Sequence, residues 1–254
     1  MISRSSFLKS ILGLALSTLV TTAIMFKSDH KRNEGVLVVG TSDDYPPYTF
    51  NENGKIVGFD IDLARAVADR LGKKICVKSM NFSILLLELD RGVVDLLAAG
   101  ITPRKTSFNV KFTEPYIAGD PFIVISRVPY ASDISVEDLF GKTVVVNEGY
   151  TSDFFLSQYP CINLVRLETV AEAILALKTG KAEFFVVAKT VIDPFFSTNP
   201  SFSFPHTLLR DLTESYAFVL SGKEKKLFND VQKALNDLTL DGTVEMLKRK
   251  WNLL

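Results

Sequence analysis

The sequence predicts an α/β protein built from two units, and three observations lead there. Short apolar runs alternate with amphipathic helical stretches, as when strands cross over through helices into largely parallel sheets. A second unit of the same kind begins near Ser132. Finally, 254 residues that are 47% hydrophobic can fill such a core, which excludes a disordered chain.

Taken in order, Val36 to Thr41 (VLVVGT) reads as a buried strand with a loop behind it. Tyr48 to Gly58 reads as a hairpin turning at Asn53-Gly54, a pair suited to left-handed backbone. Asp60 opens a helix whose Ile61, Ala64, Val67, Ala68 and Leu71 share one face, and Gly72 stops it. Lys74 to Ser79 suits a strand, Ser83 to Leu89 a helix, and Val93 to Ala99 another buried strand. In the second unit, Asp138 to Asp153 reads as loop, strand, loop and helix start. Val170 to Lys178 is an amphipathic helix ended by Thr179-Gly180, and Glu183 to Ala188 is strand. The tail from Lys223 to Trp251 carries two helical stretches, with Leu227, Val231, Leu235 and Leu238 at helical spacing.

Composition narrows the function. Basic and acidic residues number 29 each, so no net field draws the chain to nucleic acid, which is not an expected partner. The two histidines, His30 and His206, and the two cysteines show no zinc-ligand spacing, so neither metal nor cofactor is expected. Cys76 and Cys161 read as small core residues; a disulfide between them is possible in an oxidising compartment but not required. Arg4 and Lys9 precede the uncharged stretch Ser10 to Phe26, and a polar exit follows, so residues 1–28 read as an export signal or a retained N-terminal anchor. Thr21-Thr22-Ala23 only approximates a cleavage site, and neither cysteine is placed for lipid attachment. The expected location is therefore periplasmic, in soluble or tethered form.

Seven segments carry a resemblance. They are Gly40-Thr-Ser-Asp-Asp-Tyr-Pro-Pro-Tyr-Thr-Phe, Gly58-Phe-Asp-Ile-Asp-Leu-Ala-Arg-Ala-Val-Ala, Asp95-Leu-Leu-Ala-Ala-Gly, Phe112-Thr-Glu-Pro-Tyr, Leu139-Phe-Gly-Lys-Thr-Val-Val-Val-Asn-Glu-Gly, Leu177-Lys-Thr-Gly-Lys-Ala-Glu and Asp241-Gly-Thr-Val-Glu-Met-Leu-Lys-Arg-Lys-Trp. In this order they resemble the polar amino-acid-binding proteins of ABC transporters, periplasmic solute-binding proteins of family 3, nearest to arginine- or glutamine-binding members. The resemblance implies the two-lobed type II periplasmic-binding-protein fold. Residues 36–119 plus 213–254 would form one lobe and 120–212 the other, hinged by two crossing segments and closing on a ligand. It also implies a monomer that binds an amino acid or related small carboxylate, delivers it to ABC-transporter permease subunits and performs no catalysis. The alternatives are a dehydratase-like enzyme or a tethered metabolite sensor on the same scaffold.

The resemblance also implies the site. A carboxylate-binding base follows a strand-end glycine–threonine segment, here Gly100-Ile-Thr102-Pro-Arg104-Lys105, in a loop one residue shorter than usual. Arg104 or Lys105 would bind the carboxylate, with Thr102 and the Gly100 backbone assisting. Helix-end amides of Gly149-Tyr-Thr151-Ser would meet the anion from the other lobe, Thr151 foremost. Tyr45 and Phe82 would wall the ligand side chain, which suits a planar, aliphatic or guanidinium group. Ser42 stands where relatives often place a side-chain-reading carboxylate. Ala188 stands where they place the acid for the ammonium, so Asp43, Asp44, Glu148 or an acid of the second lobe would have to serve, or the ligand would lack a free α-amine.

Overall fold

In a computed structural model, which describes residues 35–130 and 132–253, strand β1 (Val36–Thr41) buries Leu37 and Val39 by simple alternation. A small antiparallel sheet follows, of β2 (Asp44–Tyr45), β3 (Thr49–Glu52) and β4 (Lys55–Val57). It turns where Asn53 and Gly54 both take positive φ, 52° and 79°, as the Asn-Gly pair predicts. Helix α1 (Phe59–Arg70) buries Ile61, Leu63, Ala64, Val67 and Ala68. Left-handed Gly72 then ends it, and Lys73 N–H closes on Ala68 O at 2.9 Å.

After β5 (Lys74–Ser79) come a 3-10 turn at Phe82–Ile84 and helix α2 (Leu85–Asp90). The next strand, β6, is Leu96–Ile101 rather than Val93–Ala99. Val93 instead closes α2, donating its N–H to Glu88 O at 3.0 Å past left-handed Gly92. Apolar character alone could not separate that closing turn from the strand behind it.

The remaining elements are β7 (Val110–Phe112), β8 (Ile117–Ser126), β9 (Thr143–Asn147), α3 (Thr151–Leu156), β10 (Asn163–Leu167), α4 (Val170–Lys178), β11 (Phe184–Ala188), α5 (Lys189–Thr198), β12 (His206–Ser221), α6 (Lys225–Leu240) and α7 (Thr243–Lys250). Strand order is β10-β9-β11-β8-β12-β6-β1-β5, with β7 also on β12. The outer pairs are parallel, whereas β8 and β12 run antiparallel to each other and to their neighbours β11 and β6.

These two long strands link the halves of the sheet. β12 pairs with β8 from His206 to Tyr216 and with β6 from Ala217 onward, and its register shifts between Leu208 and Thr213 and again between Glu214 and Ser215. Between those shifts Glu214 sits directly opposite Asp120. One apolar core runs through this crossing, from Phe59, Tyr116 and Phe218 to Ile174 and Phe185, and a second, with Phe122, Val144 and Phe184, belongs to the second half alone.

Both cysteines depart from the expectation of core residues: Cys76 and Cys161 are exposed and unpaired. Cys76 alternates outward on the sheet's edge strand β5, and Cys161 lies in the loop before β10. The signal or anchor at residues 1–28 lies outside the described residues. Among the described residues no helix is long and apolar enough to cross a membrane.

Candidate functional site

Carboxylates concentrate where the two long strands cross. Glu214 is 3% exposed and its cross-strand partner Asp120 4%. Tyr216 bridges them, donating to Glu214 Oε2 and lying 3.1 Å from Asp120 Oδ2. Thr190, at the head of α5, donates its hydroxyl to Asp120, and Tyr48 donates to Asp120 at 3.5 Å. Burial pushes the Glu214 carboxyl up to about 7, against hydrogen bonds from Thr151, Tyr216 and Tyr45; the Asp120 charge pushes it further. Burial likewise raises Asp120, opposed by its hydroxyl partners.

Four of the expected site residues converge on this acid. Tyr45 OH lies 3.3 Å from Glu214 Oε2, and Thr102 Oγ1 lies 3.5 Å from Oε1. Thr151 is near enough to oppose the rise of its pKa, and Arg104 feels its charge. Arg104 reaches across to the second half of the sheet, where its guanidinium stacks 4.0 Å above the ring of Phe154 on α3. Burial pushes the guanidinium's pKa down, while Glu214 and then Asp153 oppose that shift. Lys105, the alternative base, is exposed in the same loop.

Three expected amide donors are already committed. Gly100 has φ 58° and gives its N–H to Asp60 Oδ2 at 2.7 Å, not toward the cleft. A Cβ there would lie 2.7 Å from Tyr45 Cε1, so glycine is needed for the tyrosine to approach. Gly149 N–H is held by Asp153 Oδ2 at 3.0 Å and Tyr150 N–H by Asn147 O at 3.1 Å. The N-cap of α3 is Tyr150. Thr151 and Ser152 therefore supply the amides that begin the helix without a partner four residues back.

Tyr45 and Phe82 both face the site, but the ring of Tyr150 packs against each of them. It meets Tyr45 edge-on at 5.1 Å and Phe82 at 4.4 Å. Its hydroxyl and the Ser42 Oγ are buried without a hydrogen bond of good geometry.

Two cavities flank this contact and share Phe82, Ser83 and Glu148. One, of about 90 Å³, is lined by Asp43, Asp44, Glu148 and Glu168 and by no basic residue. Burial and neighbouring Asp43 push the Asp44 carboxyl up to about 6. The other, of about 520 Å³, is lined by Arg104, Lys105 and Thr106, with Leu85, Leu86 and Ile101 beneath. Glu148 and Asp153 also line this second cavity, so the cleft carries acids alone on one side of Phe82 and both signs of charge on the other, where its basic groups Arg104 and Lys105 lie.

Glu214, Asp120, Tyr216 and Tyr150 were not singled out by sequence reasoning. Asp120, in Gly119-Asp-Pro121, looks like a turn, and Glu214, in Thr-Glu-Ser-Tyr, looks like the solvated face of a strand. A usable signal was the apolar run Ala217 to Leu220 directly after Glu214, which makes that strand a buried one. Ala188 is buried at the end of β11, where it offers a methyl group and no charge.

Comparisons with known proteins agree with this architecture. The arginine-binding extracellular protein ArtP of Bacillus subtilis (strain 168) is 29% identical over 222 residues, covering 85% of each chain. The P235GK mutant of ArgBP from T. maritima superposes with a TM-score of 0.77 at 32% identity, over 89% of this chain and 99% of that one. An ancestral arginine-binding protein bound to arginine gives 0.76 at 32% identity, over 85% and 98%. The fold is therefore the two-lobed one of such binding proteins. Residues 37–253 match the bacterial extracellular solute-binding proteins, family 3, and the chain belongs to that family.

Proposed function

We propose that this chain is the extracytoplasmic receptor of an ABC importer and that it clamps a cationic amino acid, arginine foremost, between lobes 36–119 plus 213–254 and 120–212. The observation that carries the reading is the separation of charge in the cleft: its basic groups, Arg104 and Lys105, lie on one side of Phe82 only, and the other side is lined by acids without a base. A carboxylate end fits the Arg104 side, and a guanidinium or ammonium side chain fits the acids Asp43, Asp44, Glu148 and Glu168 across Phe82. Relatives described as arginine-binding support the choice of side chain. Thr102 and Thr151 flank the carboxylate, Tyr45 and Phe82 wall the chain, and Ser42 lies at the acidic end. The protein works as a periplasmic monomer that hands its ligand to permease subunits without turning it over.

Titration calorimetry on the full chain tests this. L-Arginine binds more tightly than L-glutamine, and Arg104→Met weakens L-arginine by roughly 100-fold, the cost of losing one member of a buried charge pair. Agmatine, which has the guanidinium but no carboxylate, is affected little by the same change. Equal loss for both ligands would place Arg104 outside the carboxylate site.

A second reading, dehydration of a cyclic carboxylate, draws on Glu214, whose carboxyl near 7 suits a general acid. Incubation with prephenate separates the two: under the binding reading no phenylpyruvate accumulates.

A further inference from the structure

A fully buried carboxylate needs a cation or a proton. Among the described residues Glu214 has no ion pair: no lysine or arginine lies within salt-bridge distance. The basic group that feels it, Arg104, is stacked on Phe154. The surrounding groups are hydroxyls and further negative potential. Tyr45 approaches from β2, Asp120 from β8 and Tyr216 from its own strand, with Thr102 behind β6 and Thr151 and Tyr150 at the head of α3. The Oε1 contact is long, 3.5 Å to Thr102, so this oxygen has capacity for a stronger donor.

We propose that Glu214 is the acceptor for the ligand's α-ammonium, reinforced from behind by Asp120 through Tyr216. This rests on the binding reading above and extends it: it assigns the amine partner that Ala188 cannot supply. The placement suits an α-amino acid. Thr102, whose hydroxyl touches Glu214, is two residues from Arg104, so carboxylate and ammonium acceptors adjoin as the two groups on one α-carbon do. The hydroxyls of Tyr45 and Tyr216 hold the carboxylate's direction before the ligand arrives. Asp120 adds a second negative charge that favours a cation over water. The acid at this point belongs to a crossing strand, so the amine would be gripped at the hinge rather than at the rim of a lobe.

The test uses the full chain, L-arginine and its α-deamino analogue 5-guanidinopentanoate. Wild type is expected to prefer L-arginine, and Glu214→Gln, which keeps the shape and one acceptor oxygen but removes the charge, is expected to erase that preference. L-Arginine should weaken by roughly 100-fold or more, the scale of an unpaired buried charge, while the deamino analogue changes little. Equal weakening of both ligands, or no weakening of L-arginine, would overturn the assignment. Should Glu214→Gln fail to fold, wild type alone decides. Burial raises the Glu214 carboxyl to about 7, so near neutral pH it carries part of a proton, which an arriving ammonium displaces. Calorimetry in buffers of different ionisation enthalpy should then show more proton release with L-arginine than with 5-guanidinopentanoate. Asp44 faces the guanidinium common to both ligands, so its contribution cancels in that difference. Equal release refutes the proposal.

Failure of the binding reading looks different. If wild type prefers a neutral amino acid, the same comparison is made with that ligand and its deamino analogue, and only the cationic side chain is lost. If wild type binds the deamino analogue as well as L-arginine, the Glu214 assignment falls while the cationic reading stands. If no α-amino acid binds, both fall.

Discussion

At the scale of single residues, the site is governed by what its charges lack. Glu214 is a buried acid without an ion pair and Asp44 a half-buried one whose cavity has no basic lining, and a cationic amino acid brings what both need. Tyr150 is the residue whose role the geometry sharpens most. Its ring packs against Tyr45 and Phe82, where a ligand side chain would stack, so ligand entry has to displace it. Tyr150→Ala is therefore expected to tighten arginine binding about tenfold, because the competent state no longer has to be freed of its own ring. The same change should cost roughly 3 kcal/mol of stability or more, as for other buried aromatic truncations. Calorimetry and urea denaturation read the two effects separately; weaker binding would make Tyr150 a wall of the site instead.

At the scale of elements, most of the fold was legible because each strand and helix carries its own punctuation. The Asn53-Gly54 turn, the glycine stops at Gly72 and Gly180, and the α4 segment Val170–Lys178 all follow from local chemistry. That helix starts with a reciprocal cap in which Thr169 accepts from Glu172 N–H at 3.2 Å and the Glu172 carboxylate accepts from Thr169 N–H at 3.0 Å. Thr169→Ala should cost about 1 kcal/mol and lower Tm by about 2–4 °C, read by circular dichroism. No change would mean that packing of Ile174 and Leu177, not the cap, sets the helix start.

What local signals could not give is the crossing of β8 and β12. Asp120 and Glu214 are far apart in sequence, and only the register of two long antiparallel strands sets them opposite each other. The candidate site was legible to the same degree. Tyr45, Thr102, Arg104 and Thr151 are named by motif and do converge, but the acid at their focus comes from tertiary pairing. The commitment of Gly100 N–H to Asp60, too, depends on a contact forty residues distant.

For the whole molecule, a cleft rich in buried acids ties ligand-free stability to pH. Burial raises Asp60 and Glu214 to about 7 and Asp44 to about 6, whereas unfolded carboxylates titrate near 4. Between those values the folded chain holds protons that the unfolded chain has released, so stability falls as pH rises through that window. The carboxyls that hydrogen bonding holds low, such as Asp138 and Glu183, act only below it. The urea midpoint of the ligand-free protein is expected to drop between pH 5 and pH 8, and saturating arginine to reduce that drop. A midpoint that climbs over the same range would contradict these assignments.

The most direct measurement of the central claim is a crystal structure of the full chain grown with L-arginine. The account predicts the ligand between the lobes, its carboxylate on Arg104, its ammonium on Glu214 and its guanidinium among Asp43, Asp44, Glu148 and Glu168, with the Tyr150 ring moved aside. A ligand bound with its carboxylate at the acidic end, or seated away from the crossing strands with Arg104 still on Phe154, would contradict it.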